Sequence, residues 1–142
     1  MNYNLDRFFH AQEHSYKTAL AEIKNGFKRT HWMWYIFPQL KKLGRSSTAK
    51  YYGIENLEEA KMYITHPVLG TRLREISDAL LKLEANDPYR VLGDIDGLKL
   101  CLSMTLFAEV EGYDSVFGKV IDKYYNGNKD MNTIHILHYH LA

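Results

Sequence analysis

Two tryptophans lie two residues apart in a short aromatic and cationic stretch of the chain, residues 28–39. Side chains at positions i and i+2 do not share one face of a helix, so Trp32 and Trp34 cannot both point in the main packing direction. An indole beside cations can stack on a planar ring while the cations bind a phosphate or carboxylate. The alternative interpretation is that both rings are large core anchors.

Two polar residues flank this pair and suggest chemistry. His31 directly precedes it, and imidazole is well suited to general acid–base catalysis because it titrates near neutral pH. Gln39 follows the pair, and its amide can recognise a polar edge of a ligand. We therefore predict His31 as the catalytic residue of any reaction, and Trp32, Trp34 and Gln39 as ligand-binding residues.

The segment Gly44-Arg45-Ser46 has the composition of an anion-binding turn. Gly44 permits a tight turn, and Ser46 or Ser47 can cap a helix whose N-terminal N–H groups would face an anion. Arg45 would add a planar fork of donors that suits a carboxylate or phosphate. Because the phosphate-binding pattern GxxxxGK[ST] is absent, the alternative is an ordinary capped turn with a solvated arginine.

A third candidate is the polar stripe formed by Asp96, Lys99 and Ser103 on an otherwise apolar segment. Helical spacing places successive members about one turn apart. A lysine drawn into a core is costly unless it is paired, so either Asp96 neutralises Lys99 or the stripe lines a pocket. A thin solvent-facing edge is the remaining interpretation. We predict Lys99 and Ser103 as ligand-binding residues, together with Arg45 and Ser46.

The histidines and the cysteine indicate neither a metal site nor a nucleophile. His10 and His14 are one helical turn apart, and three histidines lie within residues 135–140, but there is no HExxH pattern and no cysteine pair. Cys101 lies among leucines, and an apolar environment raises the pKa of a thiol. We predict no metal, no cofactor and a buried Cys101.

The elements that must position these residues are helices. Apolar residues recur at helical spacing, and no two-residue hairpin turn joins alternating strands. Ser46, Asn56 and Asp130 can cap helices, and Thr30 is expected to cap the tryptophan segment. A break near residues 12–13 would divide the first helix in two. The pattern predicts an all-α single compact domain, residues 1–142, of about seven to eight short helices.

Composition and charge narrow the choice of partners and compartment. The chain has 142 residues and a formal net charge of +1, which give no electrostatic footprint for duplex nucleic acid or an anionic membrane. No run approaches the roughly 20 apolar residues of a membrane span, and the N-terminus lacks a signal-peptide pattern. With a single cysteine, a reducing cytoplasm is expected.

A family resemblance extends over essentially the whole chain. Its most distinctive block is HWMWYIFPQL, residues 31–40, and further blocks are residues 8–12, 16–23, 43–46, 66–70 and 103–107. In these the chain resembles the bacterial family catalogued as domain of unknown function 1810, often mislabelled as calpastatin. The resemblance implies a single all-helical domain with no established activity. This sequence departs from the family pattern at Cys101 and Leu102, where smaller or more polar residues are usual.

Two functions remain open on these observations. The first is binding of a small anionic aromatic ligand, a nucleotide or an ADP-ribose-like molecule, with or without its hydrolysis. It requires the tryptophan pair, the turn at residues 44–46 and Lys99 to meet at one hollow. The second is a non-catalytic protein-interaction or self-association module, compatible with a homodimer, since tyrosine, tryptophan and methionine are enriched at interfaces.

Overall fold

The computed structural model describes residues 3–139, which form nine α-helices, one short 3-10 helix and no strand. The all-α prediction is confirmed, with more helices than the expected seven to eight. The helices are α1 (Asp6–Lys24), α2 (Met33–Ile36), α3 (Ser47–Tyr51), α4 (Leu57–Thr65), α5 (Leu69–Leu81), α6 (Pro88–Leu92), α7 (Asp94–Glu111), α8 (Val116–Tyr125) and α9 (Met131–Tyr139). The 3-10 helix, Lys41–Leu43, lies between α2 and α3.

Three predicted helix caps are confirmed. The side chains of Ser46, Asn56 and Asp130 each accept a hydrogen bond from the backbone N–H three residues later, at 3.0, 2.9 and 2.8 Å. Each cap satisfies an N–H group that the first turn of a helix leaves without a partner. Asp87 caps α6 in a similar way, at 2.9 Å from the Tyr89 nitrogen, and this short helix was not expected from the sequence.

Two expectations at the N-terminal end are wrong, each because of a polar contact. The first helix is not divided near residues 12–13, because Gln12 faces the interior and its amide donates to the Tyr63 hydroxyl at 2.8 Å. Thr30 does not cap α2, because its hydroxyl donates to Glu22 at 2.7 Å. The helix begins further along the chain and has four residues.

The core is organised around α7, which packs against α4, α6, α8 and α9. A run of buried aromatic rings connects four helices: Phe8, Tyr63, Phe107 and Phe117 follow one another with ring centroids 5.0, 5.4 and 5.8 Å apart. Tilted and edge-to-face pairs of this kind are favourable beyond their burial. None of the helices within residues 3–139 is long and apolar enough to cross a membrane.

The segment after α2 is tied to the segment after α3 through the backbone. Leu40 and Ile54 form an isolated parallel bridge, in which the Lys41 N–H donates to the Ile54 carbonyl and the Ile54 N–H donates to the Gln39 carbonyl, both at 2.8 Å. Gly53 allows this approach, since a Cβ there would lie 2.4 Å from the Lys41 Cα. Residues 39–41 therefore have a fixed backbone position.

A buried ion pair fixes the other end of the same region. The Arg7 guanidinium contacts the Glu59 carboxylate at 3.0 Å, and both side chains are nearly inaccessible to solvent. Arg7 also donates to the carbonyls of Tyr51 and Gly53, each at 2.8 Å. Buried charges need such pairing and hydrogen bonding. The contact holds the chain after α3 against α1 and α4.

The Glu22 carboxylate organises the loop between α1 and α2. It accepts hydrogen bonds from the backbone N–H groups of Arg29 and Thr30, from the Thr30 hydroxyl and from the Trp32 indole, at 2.8, 3.1, 2.7 and 2.9 Å. Burial opposes ionisation of this carboxyl, but the hydrogen bonds outweigh it and lower its pKa from 4.5 to about 2. The loop is therefore held by a buried charge.

We expect Glu22→Gln to lower the free energy of unfolding by about 2 kcal/mol at pH 7, because hydrogen bonds to a charged acceptor are lost. Since the folded pKa of Glu22 is depressed, its stabilisation is present above pH 4.5 and is lost as the pH falls towards 2. The difference in unfolding free energy between parent and variant should narrow over that range. Urea denaturation followed by circular dichroism at several pH values measures it.

Glu13→Gln is the matched control, since Glu13 lies on the exposed face of the same helix. It should change the free energy of unfolding by less than about 0.5 kcal/mol. Equal small losses in the two variants would contradict the role given to Glu22.

Candidate functional site

A groove of about 360 Å³ lies between residues 39–49 and the outward face of α7. Aliphatic side chains form most of its surface, and polar or cationic groups stand at its edges. The lining residues are Gln39, Leu43, Gly44, Arg45, Ser46, Ala49, Ile95, Leu98, Lys99 and Leu102. Gln39, Arg45, Ser46 and Lys99, predicted from three separate segments, are thus brought together. No carboxylate is among these described lining residues.

The turn contributes a cation rather than a helix terminus. The Ser46 hydroxyl is occupied as a cap by the Ala49 N–H at 3.0 Å, and α3 has only five residues. A helix this short sums few peptide dipoles, so its N-terminus adds little positive potential. Arg45 is exposed and makes no hydrogen bond or ion pair within residues 3–139. The positive charge of the turn therefore resides on Arg45.

Lys99 has no acidic partner in the described part of the chain. The interpretation in which Asp96 neutralises it is wrong, because the Asp96 carboxylate contacts the Lys28 ammonium at 3.0 Å. Lys28 also lies 4.9 Å from the centre of the Trp32 ring. Half-buried Lys99 is therefore left to line the groove.

The two tryptophans separate, one inward and one outward. Trp32 is 1% exposed and its indole N–H donates to Glu22, so it is a core anchor with no surface left for a ligand. Trp34 is half-buried and lines a smaller hollow of about 10 Å³, which also contacts Gln39, Gly44 and Ala49. Since these three residues line the groove too, Trp34 lies next to the groove but does not line it.

Two further predicted residues lie outside the groove lining. His31 is exposed beside the start of α2, where its carbonyl accepts a hydrogen bond from the Tyr35 hydroxyl at 3.4 Å. Ser103 is fully buried one turn beyond Lys99, and its hydroxyl has no hydrogen-bond partner among the described residues. The groove lining therefore includes neither His31, the predicted catalytic residue, nor Ser103, the last residue of the predicted polar stripe.

The aliphatic floor is the part of the groove that the sequence analysis missed. Ile95 and Leu98 are 70% and 57% exposed, although α7 is the central helix. The sequence contained a signal for this surface, because α7 is apolar nearly all the way round. A helix that buries only one face needs fewer apolar residues. That excess of apolar residues covers the core on one side and the groove on the other.

Metal ligation and thiol chemistry find no support in the described part of the chain. No group of three or more His, Cys, Asp or Glu side chains could hold a metal ion there. His138 contacts Glu109 at 2.6 Å, whereas His140 lies outside the described residues. Burial raises the pKa of Cys101 to about 11, so the thiol stays protonated at neutral pH. The prediction of a buried Cys101 is confirmed.

Replacing Ser103 tests whether its buried hydroxyl has a role. We expect Ser103→Ala to raise the free energy of unfolding by about 1 kcal/mol, because a buried hydroxyl without a partner is unfavourable. Thr105→Val should lower it by a similar amount, since the equally buried Thr105 hydroxyl accepts a hydrogen bond from the Asp130 N–H at 2.9 Å. Equilibrium urea denaturation measures both. Destabilisation by both substitutions would mean that the Ser103 hydroxyl has a partner.

Comparisons with known proteins support the fold and place the chain in a family. The chain is similar to the conserved hypothetical protein Rv1873 from Mycobacterium tuberculosis, whose crystal structure superimposes with a TM-score of 0.92. The two are 41% identical, and the match covers 95% of this chain and 96% of that chain. The comparison with curated proteins finds no match. A family model described as "Protein of unknown function (DUF1810)" matches residues 2–137, and the chain therefore belongs to the DUF1810 family.

Proposed function

We propose that the groove binds a small organic anion of the nucleotide or ADP-ribose class. One observation carries this proposal: two cations without acidic partners in the described chain, Arg45 and Lys99, border an aliphatic floor. The volume of about 360 Å³ falls within the range of about 300–1,000 Å³ that small-molecule sites occupy. The combination suits a ligand with one charged end and one apolar end.

The two cations would act in different ways. The planar guanidinium of Arg45 can donate two parallel hydrogen bonds to a carboxylate or phosphate, whereas the ammonium of Lys99 acts as a point charge. Lys99 is half-buried among leucines, where water screens its charge less than at an open surface. An anion bound here would pair with Lys99, which has no acidic partner in the described chain because Asp96 pairs with Lys28.

The lining favours anions that are free of divalent metal. Magnesium is usually held by carboxylates together with phosphate oxygens, and the described lining residues include no carboxylate. A magnesium complex of a nucleoside triphosphate also carries less negative charge for Arg45 and Lys99 to bind. We infer that monophosphates and uncomplexed diphosphates such as ADP-ribose are preferred.

The apolar end of the ligand would lie against the aliphatic floor. Leu43, Leu98 and Leu102 offer a surface on which a sugar or base can lose contact with water. The proposal does not include hydrolysis, because Arg45 and Lys99 are the ionisable residues of the lining and His31 lies outside it. The proposed function is binding.

Removing either cation should weaken binding selectively. In calorimetric titrations with AMP and ADP-ribose at low ionic strength, we expect Arg45→Ala and Lys99→Ala each to reduce affinity by about tenfold or more, because each removes charge-assisted hydrogen bonds. The double variant should show no measurable binding. Added magnesium chloride should not strengthen binding by the parent protein.

Lys119→Ala is the matched control, since Lys119 is an exposed lysine on α8, outside the groove lining. It should leave the affinity unchanged within about twofold. The proposal is wrong if the parent protein binds neither probe, or if the double variant binds as well as the parent.

A second candidate is a protein-interaction or self-association module, and one observation favours it. Ile95 and Leu98, three residues apart on α7, expose 70% and 57% of their surface, which is unusual for large aliphatic residues close together. A second copy of the chain that covers them would form a homodimer. This alternative uses the aliphatic floor of the same groove without a small ligand.

Light scattering after size exclusion distinguishes the second candidate from the first. Self-association through α7 predicts a dimer at tens of micromolar protein that dissociates on Leu98→Asp, because an unpaired carboxylate would be buried in the interface. Met131→Asp, at an exposed apolar residue on α9, should leave such a dimer intact. A parent protein that stays monomeric across this concentration range would eliminate the second candidate.

A further inference from the structure

Trp34 is a large, half-buried aromatic side chain whose ring and indole N–H have no specific partner in the described chain. Within residues 3–139 its ring forms no aromatic pair and its indole N–H donates no hydrogen bond. Trp32 shows the opposite: its ring lies 6.1 Å from that of Phe37 and its N–H is bonded to Glu22. The indole N–H of Trp34 therefore has no hydrogen-bond partner in the described chain, and the side chain borders the small hollow.

A thin wall separates Trp34 from the groove. Gln39, Gly44 and Ala49 border the groove on one side and the small Trp34 hollow on the other. Gly44 and Ala49 are closely packed, since a Cβ on Gly44 would lie 2.9 Å from the Ala49 Cβ. The hollow has a volume of about 10 Å³, room for about one water molecule, so it cannot hold a ring unless one of its lining side chains moves.

The Gln39 side chain is the part of this wall that can move. Its backbone is fixed, because its carbonyl accepts the Ile54 N–H at 2.8 Å. Its side chain is held by one long hydrogen bond, from the amide nitrogen to the Phe37 carbonyl at 3.2 Å. A ligand that displaces the Gln39 side chain therefore breaks one hydrogen bond and needs no change in the backbone of residue 39.

We propose that Gln39 is a gate between the anion-binding groove and Trp34, and that the ligand is a nucleoside monophosphate or a similar molecule with a planar base near its phosphate. The base displaces the Gln39 amide and stacks on the Trp34 indole, while the phosphate stays with Arg45 and Lys99. This inference rests on the proposed function and adds the recognition of an aromatic base.

Displacement of the Gln39 side chain is favourable for a ligand that carries a base, and unfavourable for an anion without one. Stacking of a base on an aromatic side chain strengthens binding by about tenfold or more, whereas loss of one neutral hydrogen bond weakens it by about fivefold. A ligand without a planar ring cannot offset that loss, so it would leave the gate closed. The gate would therefore select base-containing anions.

Paired probes separate the gate from the groove. AMP and ribose 5-phosphate carry the same phosphate and ribose, and only AMP carries a base. We expect AMP to bind about tenfold more tightly and to quench tryptophan emission, with no quenching by ribose 5-phosphate. Calorimetry gives the affinities, and fluorescence titration gives the quenching.

Variants of Trp34 test whether the quenching of tryptophan emission by AMP arises from this residue. Trp34→Phe should abolish the quenching and keep AMP affinity within about threefold, since a phenyl ring also stacks. Trp34→Ala should reduce the affinity for AMP to that for ribose 5-phosphate. Thermal melts confirm folding of both, and an unchanged affinity for ribose 5-phosphate confirms that the groove is intact.

Variants of Gln39 test the gate itself. Gln39→Ala removes the hydrogen bond to Phe37, so AMP should bind up to about fivefold more tightly than it binds the parent protein. Asn86→Ala, at an exposed amide outside the groove, should change neither affinity. Weaker AMP binding in Gln39→Ala would show that Gln39 contacts the ligand and would overturn the gate.

Failure of the gate is distinguishable from failure of the groove. Equal affinities for AMP and ribose 5-phosphate, both dependent on Arg45 and Lys99 and neither quenching Trp34, would overturn the gate and leave the anion-binding groove standing. Absence of binding by either probe would overturn both.

Discussion

The buried Glu22 carboxylate accepts four hydrogen bonds from the loop between α1 and α2, and this interaction fixes the chain where it enters α2. One donor is the indole of Trp32, which is thereby drawn into the core. Because alternate residues at the start of α2 cannot share a direction, Trp34 is left towards the surface. A charge ten residues upstream of Trp32 thus decides which tryptophan is accessible.

A second layer of constraints builds the wall of the groove. The bridge between Leu40 and Ile54 and the close approach at Gly53 hold the two ends of residues 39–54 together. Arg7, paired with Glu59, holds the end of this stretch to α1 and α4. The helices in this stretch are too short to be stable alone, so tertiary contacts maintain them. The backbone of residues 39–54 is therefore fixed, and the side chains that it carries into the groove determine which ligands fit.

The sequence predicted the scaffold well, because helical periodicity and capping residues are local properties. Ser46, Asn56 and Asp130 cap helices as expected, and Gln39, Arg45 and Lys99 line one groove. Other features depend on contacts between distant segments. The choice between Trp32 and Trp34 is made by Glu22, and the charge of Lys99 is left uncompensated because Asp96 pairs with Lys28. No local pattern around those residues encodes either outcome.

The central position of α7 has a consequence for how occupancy of the groove would be communicated. This helix carries Leu100 and Met104 in the core, while Leu98 and Leu102 face the groove. A molecule held against it has a binding surface only while the whole domain is folded, so thermodynamic linkage would raise the stability of the entire domain and not of one loop. Conversely, a repacking of the core that rotates α7 by a few degrees would change the shape of the groove floor. The same helix, α7, therefore contributes both to the proposed ligand site and to the hydrophobic core.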